Sequence, residues 1–236
     1  MTTDIAGRTV IITGAGGGIG EALALGFLAD GARVVGADVD LSGLERLAAR
    51  GVVTRRCDVT VEAEVRALIA AAQAETGRVD VLFNNAGLGH RHRIDEIPDG
   101  LFERMAQVSL FGPFYAIRAA LPVMRAQGYG RVVNMISRGA EARAPGWAGY
   151  ASAKAGLFAL TRVAAAETQG ADILVNAMIP GPTRSGMNQG PGLQEPAAVY
   201  PHARWMASLP SGGPNGEVFW NSKPYALFAG GATREA

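Results

Sequence analysis

The chain has 236 residues, a length that suits one well-cored domain combining a sheet with helices. Apolar residues make up 48% of it and charged residues 18%, a balance typical of globular proteins that excludes an intrinsically disordered chain. The formal net charge is +1 and no block of basic residues occurs, which excludes a nucleic-acid or membrane surface built on positive charge.

Cysteine usage and the start of the chain indicate the cytoplasm. Cys57 is the single cysteine, so no internal disulfide can form, and this fits a reducing compartment. The first residues run from a polar start into a predicted strand and lack the features of a signal peptide. No apolar run in the sequence approaches the roughly 20 residues needed to span a bilayer. We therefore expect a soluble, cytoplasmic protein.

Apolar β-rich runs alternate with alanine-rich helical runs along the chain. The predicted strands, in chain order, cover residues 9–13, 32–38, 52–59, 79–87, 131–137 and 171–181, with a last strand or hairpin within 216–228. The predicted helices follow the first five strands and cover residues 19–30, 41–50, 61–77, 99–127 and the region around Tyr150.

This alternation predicts the fold class. Strands that are apolar on both faces and alternate with helices are typical of a parallel sheet covered on both sides, here a doubly wound, Rossmann-type α/β domain over residues 1–236. Ligands of such folds bind beyond the carboxyl ends of the strands. Pro113 lies inside the long helical region and is expected to kink it. Residues 181–210 are rich in Gly and Pro and are predicted to form a loop that acts as a substrate lid.

A glycine-rich loop, TGAGGGIG, follows the first predicted strand. Its glycines Gly14, Gly18 and Gly20 have the spacing G-x-x-x-G-x-G. Glycines there let the backbone pass close to a pyrophosphate, and the helix that follows offers free N–H groups and its positive dipole end. The alternative is a tight strand-to-helix turn without a ligand. Because the loop stands at the first strand–helix junction, we interpret it as a dinucleotide-binding loop.

Acidic residues at the ends of the second and third strands indicate which dinucleotide binds. Asp38 can accept hydrogen bonds from both hydroxyls of an adenosine ribose and would repel a 2′-phosphate, which favours NAD over NADP. No Arg or Lys lies in the glycine loop or just after Asp38, and Arg33 begins the strand at its far end. Asp58 would offer its side chain to the adenine amino group. The alternative for both aspartates is to cap the next helix.

Tyr150 and Lys154 are four residues apart in GWAGYASAKAG, among alanine, glycine and serine. Side chains at that separation share one face of a helix. The pair is either a solvated helix edge or a surface on which a flat ligand lies.

These motifs together resemble the compact, single-domain branch of the short-chain dehydrogenase/reductase family over nearly the whole chain. The resemblance is carried by TGAGGGIG, CDV, NNAG, Ser137, YASAK and the dipeptide Pro180–Gly181, in that order, and Ser137 precedes Tyr150 by the family's usual interval. It implies a cofactor site that includes Gly14, Gly16, Gly17, Gly18, Ile19, Gly20, Asp38, Asp58, Val59, Asn85, Ala86, Gly87, Tyr150, Lys154, Pro180, Gly181, Thr183 and Ser185.

The resemblance also implies catalytic roles. Tyr150 is the general acid/base toward the substrate oxygen, and an ordinary tyrosine pKa near 10 would have to be lowered by the Lys154 ammonium and the oxidised nicotinamide. Lys154 also hydrogen-bonds the nicotinamide ribose, and Ser137 orients and polarises the substrate carbonyl. The family's fourth catalytic residue is an asparagine, but VSLFG places Ser109 there, so the proton relay of the family is in question.

Several other residues invite functional interpretations. His90 and His92 stand near carboxylates, but with no third ligand at a suitable spacing we expect a charged rim and no metal. Cys57 is expected to be inert core. Three interpretations are open for a set of large apolar residues, which are an apolar substrate wall, ordinary packing or a subunit interface. The set consists of Trp147, Met187, Tyr200 and Trp205.

The resulting hypothesis is an NAD-dependent oxidoreductase that interconverts a secondary alcohol and a ketone. The alternatives are an NADP-dependent ketoreductase of specialised metabolism and a dinucleotide-binding regulator without turnover, which Ser109 alone favours. The family resemblance implies a homodimer or homotetramer.

Overall fold

The computed structural model describes residues 4–187 and 189–229. These residues form eight strands, β1 Thr9–Thr13, β2 Arg33–Asp38, β3 Val53–Arg56, β4 Val81–Asn84, β5 Gly130–Met135, β6 Ile173–Ile179, β7 Val218–Trp220 and β8 Lys223–Pro224. The α-helices are α1 Gly18–Ala29, α2 Leu41–Ala48, α3 Glu62–Thr76, α4 Leu101–Ala106, α5 Gly112–Gln127, α6 Ala148–Glu167 and α7 Tyr200–Ala207.

All eight strands form one sheet in the order β3-β2-β1-β4-β5-β6-β7-β8. Neighbours from β3 to β7 are parallel, and β8 turns back on β7 as an antiparallel hairpin. The predicted doubly wound parallel sheet is therefore confirmed. The chain moves outward from β1 to β3 and then returns to β4 beside β1, so the loops after β1 and β4 border the crevice in which such folds bind ligands.

Two apolar layers cover the sheet. Leu23 and Phe27 of α1, with Met206 of α7, pack in the cluster on one face, while Ile69 of α3 and Met124 of α5 pack in the cluster on the other. All residues of the central strands β1, β4, β5 and β6 are buried, which explains why their sequences are apolar runs without alternation. The sheet is a rigid platform for the loops at its carboxyl edge.

The long helical region is broken, but not by a simple kink at Pro113. Helix α4 passes into a π-helical stretch, Gln107–Phe111, and α5 begins with Pro113 in its first turn. Proline has no N–H and its ring crowds the carbonyl four residues back, here that of Ser109. A π-helical turn accommodates both effects, and it places Ser109 inside the irregular stretch.

The segment 181–210 is more regular than predicted. It contains a 3₁₀ turn, Pro196–Val199, followed directly by α7, so the prediction of a loop is wrong for this half of the segment. Pro196 and Pro201 stand in the first turns of these two helices, where a missing N–H costs nothing. The Tyr200 hydroxyl donates to Asp30 at 2.7 Å, which ties α7 to the end of α1.

The third strand is shorter than predicted and ends at Arg56, so Asp58 stands on the loop that follows it. Within residues 4–187 and 189–229, no helix has both the length and the hydropathy that crossing a membrane requires.

Candidate cofactor and catalytic site

A cavity of about 940 Å³ opens at the carboxyl edge of the sheet. Its walls come from the loops after β1, β2, β3, β4, β5 and β6, from helix α6 and from the 181–187 segment. Most predicted site residues line it directly: Gly14, Gly17, Gly18, Ile19, Asp38, Asp58, Val59, Asn85, Ala86, Gly87, Ser137, Tyr150, Lys154, Pro180, Gly181, Thr183 and Ser185.

The glycine loop is fitted so tightly to its surroundings that side chains are excluded. Gly14 and Gly18 have positive φ values of 66° and 54°. A Cβ on Gly20 would lie 2.0 Å from the Gly14 carbonyl oxygen, within the van der Waals radii of both atoms. The Asn85 amide donates to the carbonyls of Thr13 and Gly14 at 3.1 and 2.9 Å. The loop is therefore held open as a preformed cradle beside the start of α1.

Asp38 is part of this cradle and is not a helix cap. Its carboxylate accepts from the backbone N–H of Gly16 at 2.8 Å and from those of Val39 and Asp40 at 2.7 and 3.0 Å. The cap of α2 is Asp40, which accepts from the Ser42 N–H. A Cβ on Gly16 would lie 3.0 Å from the Asp38 carboxylate, so Gly16 lets the loop close onto it.

Arg46 is a cation near the loop that sequence inspection missed. Its guanidinium donates to the Gly16 carbonyl at 3.0 Å and lies 3.7 Å from Glu21. It is eight residues beyond Asp38 in sequence, two turns into α2, and the helix brings it back to the loop. The helical spacing within α2 could have revealed it.

Asp58 is engaged by its own neighbours. Its carboxylate accepts from the Thr60 N–H and hydroxyl at 2.9 and 2.7 Å, and Arg104 of α4 donates to its other oxygen at 3.4 Å. Burial acts to raise the pKa of this carboxyl, but the hydrogen bonds outweigh it and lower the pKa. Arg104, which the sequence did not single out, lines the same end of the cavity.

Lys154 is buried, with only 4% of its surface exposed, which rules out the interpretation of a solvated helix edge. Its ammonium donates to the Met135 carbonyl at 2.7 Å. Burial lowers the pKa of Lys154 to about 8. A Cβ on Gly87 would lie 3.4 Å from this ammonium, so the glycine leaves the cation open toward the cavity. A buried, cavity-facing cation with one carbonyl partner has capacity for further acceptors.

Tyr150 and Ser137 lie side by side above Lys154. Burial raises the pKa of the Tyr150 hydroxyl, and its hydrogen bond with Ser137 acts in the opposite direction. Ser137 also accepts from the Gly139 N–H at 3.0 Å, which fixes its side chain. The Lys154 ammonium lies 5.7 Å from the centroid of the Tyr150 ring. The predicted lowering of the tyrosine pKa is therefore not present in the protein alone, in which burial dominates.

Ser109 is buried and bonded to the loop after β4. Its hydroxyl accepts from the Leu88 N–H at 3.0 Å and lies 3.4 Å from the Leu88 carbonyl. A Cβ on Gly87 would lie 3.8 Å from the Ser109 oxygen and 3.4 Å from the Lys154 ammonium, so both polar groups converge on the same glycine. The structure thus places Ser109 near the Lys154 ammonium.

The segment after β6 folds over the glycine loop. Thr183 pairs with Gln194 in a short bridge, and the Gln194 amide donates to the Pro180 carbonyl at 2.5 Å. A Cβ on Gly18 would lie 3.3 Å from the Ser185 Cβ. The four predicted residues Pro180, Gly181, Thr183 and Ser185 therefore face the cradle from above.

The opposite end of the cavity is aromatic. Trp147 and Met187 line it, and the Trp147 and Tyr150 rings pack edge to face at 5.5 Å. Trp220, which the sequence placed only in the last hairpin, lines it as well. Tyr200 and Trp205 are packing residues instead, against Phe27 and Phe219.

The remaining sequence candidates are His90, His92 and Cys57. Across the described residues no group of three or more His, Cys, Asp or Glu side chains could hold a metal ion. His92 is fixed by its backbone N–H to the Gly146 carbonyl at 2.9 Å. Cys57 is buried, and burial raises the pKa of its thiol to about 11, so it stays protonated at neutral pH.

These features fit an extended dinucleotide. The glycine cradle and the N-terminus of α1 suit a pyrophosphate, the Asp38 carboxylate suits ribose hydroxyls, and the open side of Lys154 suits a second ribose. A Cβ at Gly14, Gly16 or Gly20 would lie 2.7, 3.0 and 2.0 Å from neighbouring protein atoms, so the loop can pack this closely only with glycine at these positions.

Comparison with known proteins agrees with this geometry. A family model described as short chain dehydrogenase matches residues 8–195. Levodione reductase from Leifsonia aquatica is 37% identical over 189 residues, which are 76% of this chain and 70% of that protein. 2-(R)-Hydroxypropyl-CoM dehydrogenase from Xanthobacter autotrophicus is 36% identical over 192 residues, 77% of each chain. The crystal structure of 3-ketoacyl-(acyl-carrier-protein) reductase from Brucella melitensis, complexed with NADH, is 28% identical, with a TM-score of 0.87 over 92% of this chain and 97% of that one.

Proposed function

Because the chain belongs to the short-chain dehydrogenase family of oxidoreductases, we propose that it interconverts a secondary alcohol and a ketone with NAD as its preferred cofactor. The observation that carries the proposal is the buried Lys154 ammonium beneath Tyr150 and Ser137, at one end of a cavity whose other end is a glycine cradle closed by Asp38.

The residues divide the binding of the cofactor between them. Gly14, Gly18 and the start of α1 would hold its pyrophosphate, Asp38 the hydroxyls of its adenosine ribose, and Lys154 its nicotinamide ribose. When bound, the nicotinamide supplies the hydride donor or acceptor of the reaction.

Tyr150, Ser137 and Lys154 perform the proton chemistry. In the reductive direction the Tyr150 O–H bond breaks, its proton forms the new O–H bond of the alcohol, and a phenolate remains. The Lys154 ammonium stabilises that phenolate, and Ser137 donates a hydrogen bond to the substrate oxygen as negative charge develops on it. In the oxidative direction the phenolate takes the proton back.

The test is substitution of the acid/base itself. We expect Tyr150→Phe to bind NAD(H) within a few-fold of the unmodified protein and to lower kcat by about 10² or more, the scale of general acid–base catalysis. Cofactor affinity is measured by calorimetry, and turnover by the absorbance of the reduced nicotinamide with a panel of alcohols and ketones. Near-normal turnover in Tyr150→Phe would remove Tyr150 from the mechanism.

Two alternatives each have one observation in their favour. Arg46 beside the Gly16 carbonyl is the kind of cation that a 2′-phosphate needs, which favours an NADP-dependent ketoreductase. Ser109 in place of the family's asparagine favours a dinucleotide-binding regulator without turnover. The intact Ser137, Tyr150 and Lys154 argue against the regulator.

We also propose an assembly and a lid. Leu110, Phe111, Phe114, Tyr115 and Leu160 line an apolar hollow of about 410 Å³ on the surface of α5 and α6, and Phe111 and Phe114 are 46% and 38% exposed. This face suits a homodimer or homotetramer, which sedimentation would reveal. Residues 181–210 would act as the substrate lid, within a single domain of residues 1–236 in the cytoplasm.

A further inference from the structure

The charged side chains that line the cavity differ between its two ends. The described lining residues that carry charge are Asp38, Asp58, Arg104, Arg138 and Lys154. Both carboxylates and Arg104 stand at the end of the cavity where the adenosine of the cofactor is proposed to bind, which we call the adenosine end. There Arg104 pairs with Asp58. The other end, lined by Ser137 and Tyr150, is called the catalytic end. It holds the two cations, Arg138 and Lys154, and no described carboxylate lines it. A site with this balance favours an anion.

Arg138 is the cation that remains for the substrate. Lys154 is buried under Tyr150 and bonded to the Met135 carbonyl, so it serves the phenolate and the cofactor ribose. Arg138 follows Ser137 directly and is exposed to the cavity. It does not take part in any of the ion pairs between described residues.

The Arg138 guanidinium is held by aromatic side chains and not by an ion pair with a carboxylate of the described residues. It stacks over the Trp220 ring at 4.9 Å from the centroid and interacts with the Tyr225 hydroxyl. The carboxylate of this network, Glu141, is used by the Tyr225 hydroxyl and by the Phe228 N–H at 2.9 Å. A guanidinium that lies over an aromatic ring and forms no ion pair has N–H groups available, and their arrangement matches a carboxylate in geometry.

The backbone of the loop after β4 comes close to Tyr150. A Cβ on Gly89 would lie 2.9 Å from the Met187 sulfur and 3.0 Å from Cδ2 of the Tyr150 ring, so the backbone approaches the reaction centre closely.

We propose that Arg138 binds a carboxylate on the substrate, so that the enzyme acts on hydroxy acids and oxo acids in preference to neutral alcohols and ketones. This rests on the proposed function, of which it specifies the substrate class. The Ser137 hydroxyl and the Arg138 guanidinium, adjacent in the chain, would hold the reacting oxygen and the carboxylate of one small molecule.

The experiment compares acids with their neutral esters. Pyruvate, acetoacetate and levulinate, which place the carboxylate at increasing distance from the ketone, are each assayed beside the methyl ester with NADH. We expect at least one acid to exceed its ester about tenfold in kcat/KM, the scale of a charged hydrogen bond. Arg138→Leu should lower the kcat/KM of that acid about tenfold, mainly through KM, and leave the ester within about twofold. Arg138→Lys should restore part of the loss.

Arg125→Leu is the matched control, because Arg125 is an exposed arginine at the carboxyl-terminal end of α5, away from the cavity. It removes the same charge and should leave the preference unchanged. Equal loss on acid and ester in Arg138→Leu, or a preference for esters in the unmodified protein, would overturn the proposal.

A binding measurement separates this proposal from the proposed function. The same acids are titrated by calorimetry into the NADH-loaded protein and into NADH-loaded Arg138→Leu. Binding that Arg138→Leu loses supports the carboxylate site even where no turnover occurs, and turnover absent with every alcohol and ketone then refutes only the proposed reaction. Absence of binding by all three acids overturns the carboxylate site, whatever neutral substrate is turned over.

Discussion

The two ends of the cavity are built in different ways. At the adenosine end polar side chains bind the backbone of the loops: the Asn85 amide donates to the carbonyls of Thr13 and Gly14, and the Asp38 carboxylate accepts from three N–H groups. At the catalytic end two cations face the cavity: Lys154 donates to the Met135 carbonyl, and Arg138 contacts the Trp220 ring and the Tyr225 hydroxyl without forming an ion pair with a described residue. The adenosine end is therefore held in place by its own hydrogen bonds, whereas the cations of the catalytic end can still bind an acceptor on a ligand.

The difference also separates what the fold needs from what the reaction needs. Side chains at the adenosine end stabilise the native structure, because they hydrogen-bond to backbone groups of the loops there. A buried cation at the catalytic end reduces stability, because its desolvation is only partly compensated. Substitutions at the two ends should therefore have opposite effects on the free energy of unfolding.

The largest effect is expected at Gly20. In Gly20→Ala the new Cβ would meet the Gly14 carbonyl oxygen at 2.0 Å, so the loop or α1 must move. We expect the free energy of unfolding in urea to fall by about 3 kcal/mol, the upper range for overpacking. Gly17→Ala is the control, since nothing lies within 4 Å of its Cβ and its φ of −175° is ordinary extended backbone. If Gly20→Ala is as stable as Gly17→Ala, the glycine loop can move to accept a side chain at little cost and is not rigid.

The next effect is a pH dependence caused by Lys154. Its pKa is about 8 in the folded protein and 10.5 in the unfolded chain, so the unfolded chain binds more protons between these values. Stability of the cofactor-free protein relative to Lys154→Met should therefore rise as pH increases from about 8 to 10.5, by at most about 3 kcal/mol. Below pH 8 the penalty for the buried charge is fully present.

Paired urea titrations of the unmodified protein and Lys154→Met across this pH range measure the difference directly. The comparison cancels Cys57, whose raised pKa of about 11 acts in the opposite sense in both proteins. A stability difference that stays constant with pH would show that Lys154 is hydrated in the cofactor-free state.

A smaller effect is expected for Asp38 and cofactor choice. We expect NAD(H) to bind at least tenfold more tightly than NADP(H), about 1.4 kcal/mol, because a 2′-phosphate would face the carboxylate. Asp38→Ala should erode this ratio mainly by weakening NAD(H). The carboxylate also holds the loop through Gly16, and loss of that contact would weaken both cofactors equally, so the ratio is the informative quantity. Equal affinities in the unmodified protein would favour the NADP alternative and point to Arg46.

The adenosine end was also the part that could be predicted from the sequence. Its glycines and Asp38 follow consecutive strand ends, so local order in the chain fixes their meeting in space, and the parallel sheet followed from the apolar runs alone. Arg46 contacts the glycine loop from α2, where helical spacing could have revealed it. Arg104 and Trp220 were missed because they reach the cavity from a helix and a hairpin whose faces depend on tertiary packing.

The same contrast explains the segment after Gly181. Its prolines indicated a loop, yet Pro196 and Pro201 open helical turns, because the fixed φ of proline is a helical value and its missing N–H is not needed in a first turn. The family model matches no further than residue 195, whereas structural likeness to the Brucella protein covers 92% of the chain. Sequence divergence at this end is thus compatible with a shared fold.

The smallest effect is expected at Ser109, where the chain departs from its family's motif. The Ser109 hydroxyl is bonded to the Leu88 backbone near Lys154 and so stabilises the loop after β4, and the family resemblance predicts an asparagine amide at this position. If a water bound there relays protons from Lys154, the serine hydroxyl can hold it at modest cost. Ser109→Asn should then change kcat by less than about tenfold, or 1.4 kcal/mol in the barrier.

Ser109→Ala, which leaves the Leu88 N–H without its partner, controls for the structural role and should lower stability more than Ser109→Asn does. If a broad substrate screen finds turnover only in Ser109→Asn, the unmodified protein is not an oxidoreductase. The hypothesis of a dinucleotide-binding regulator would then replace the proposed function.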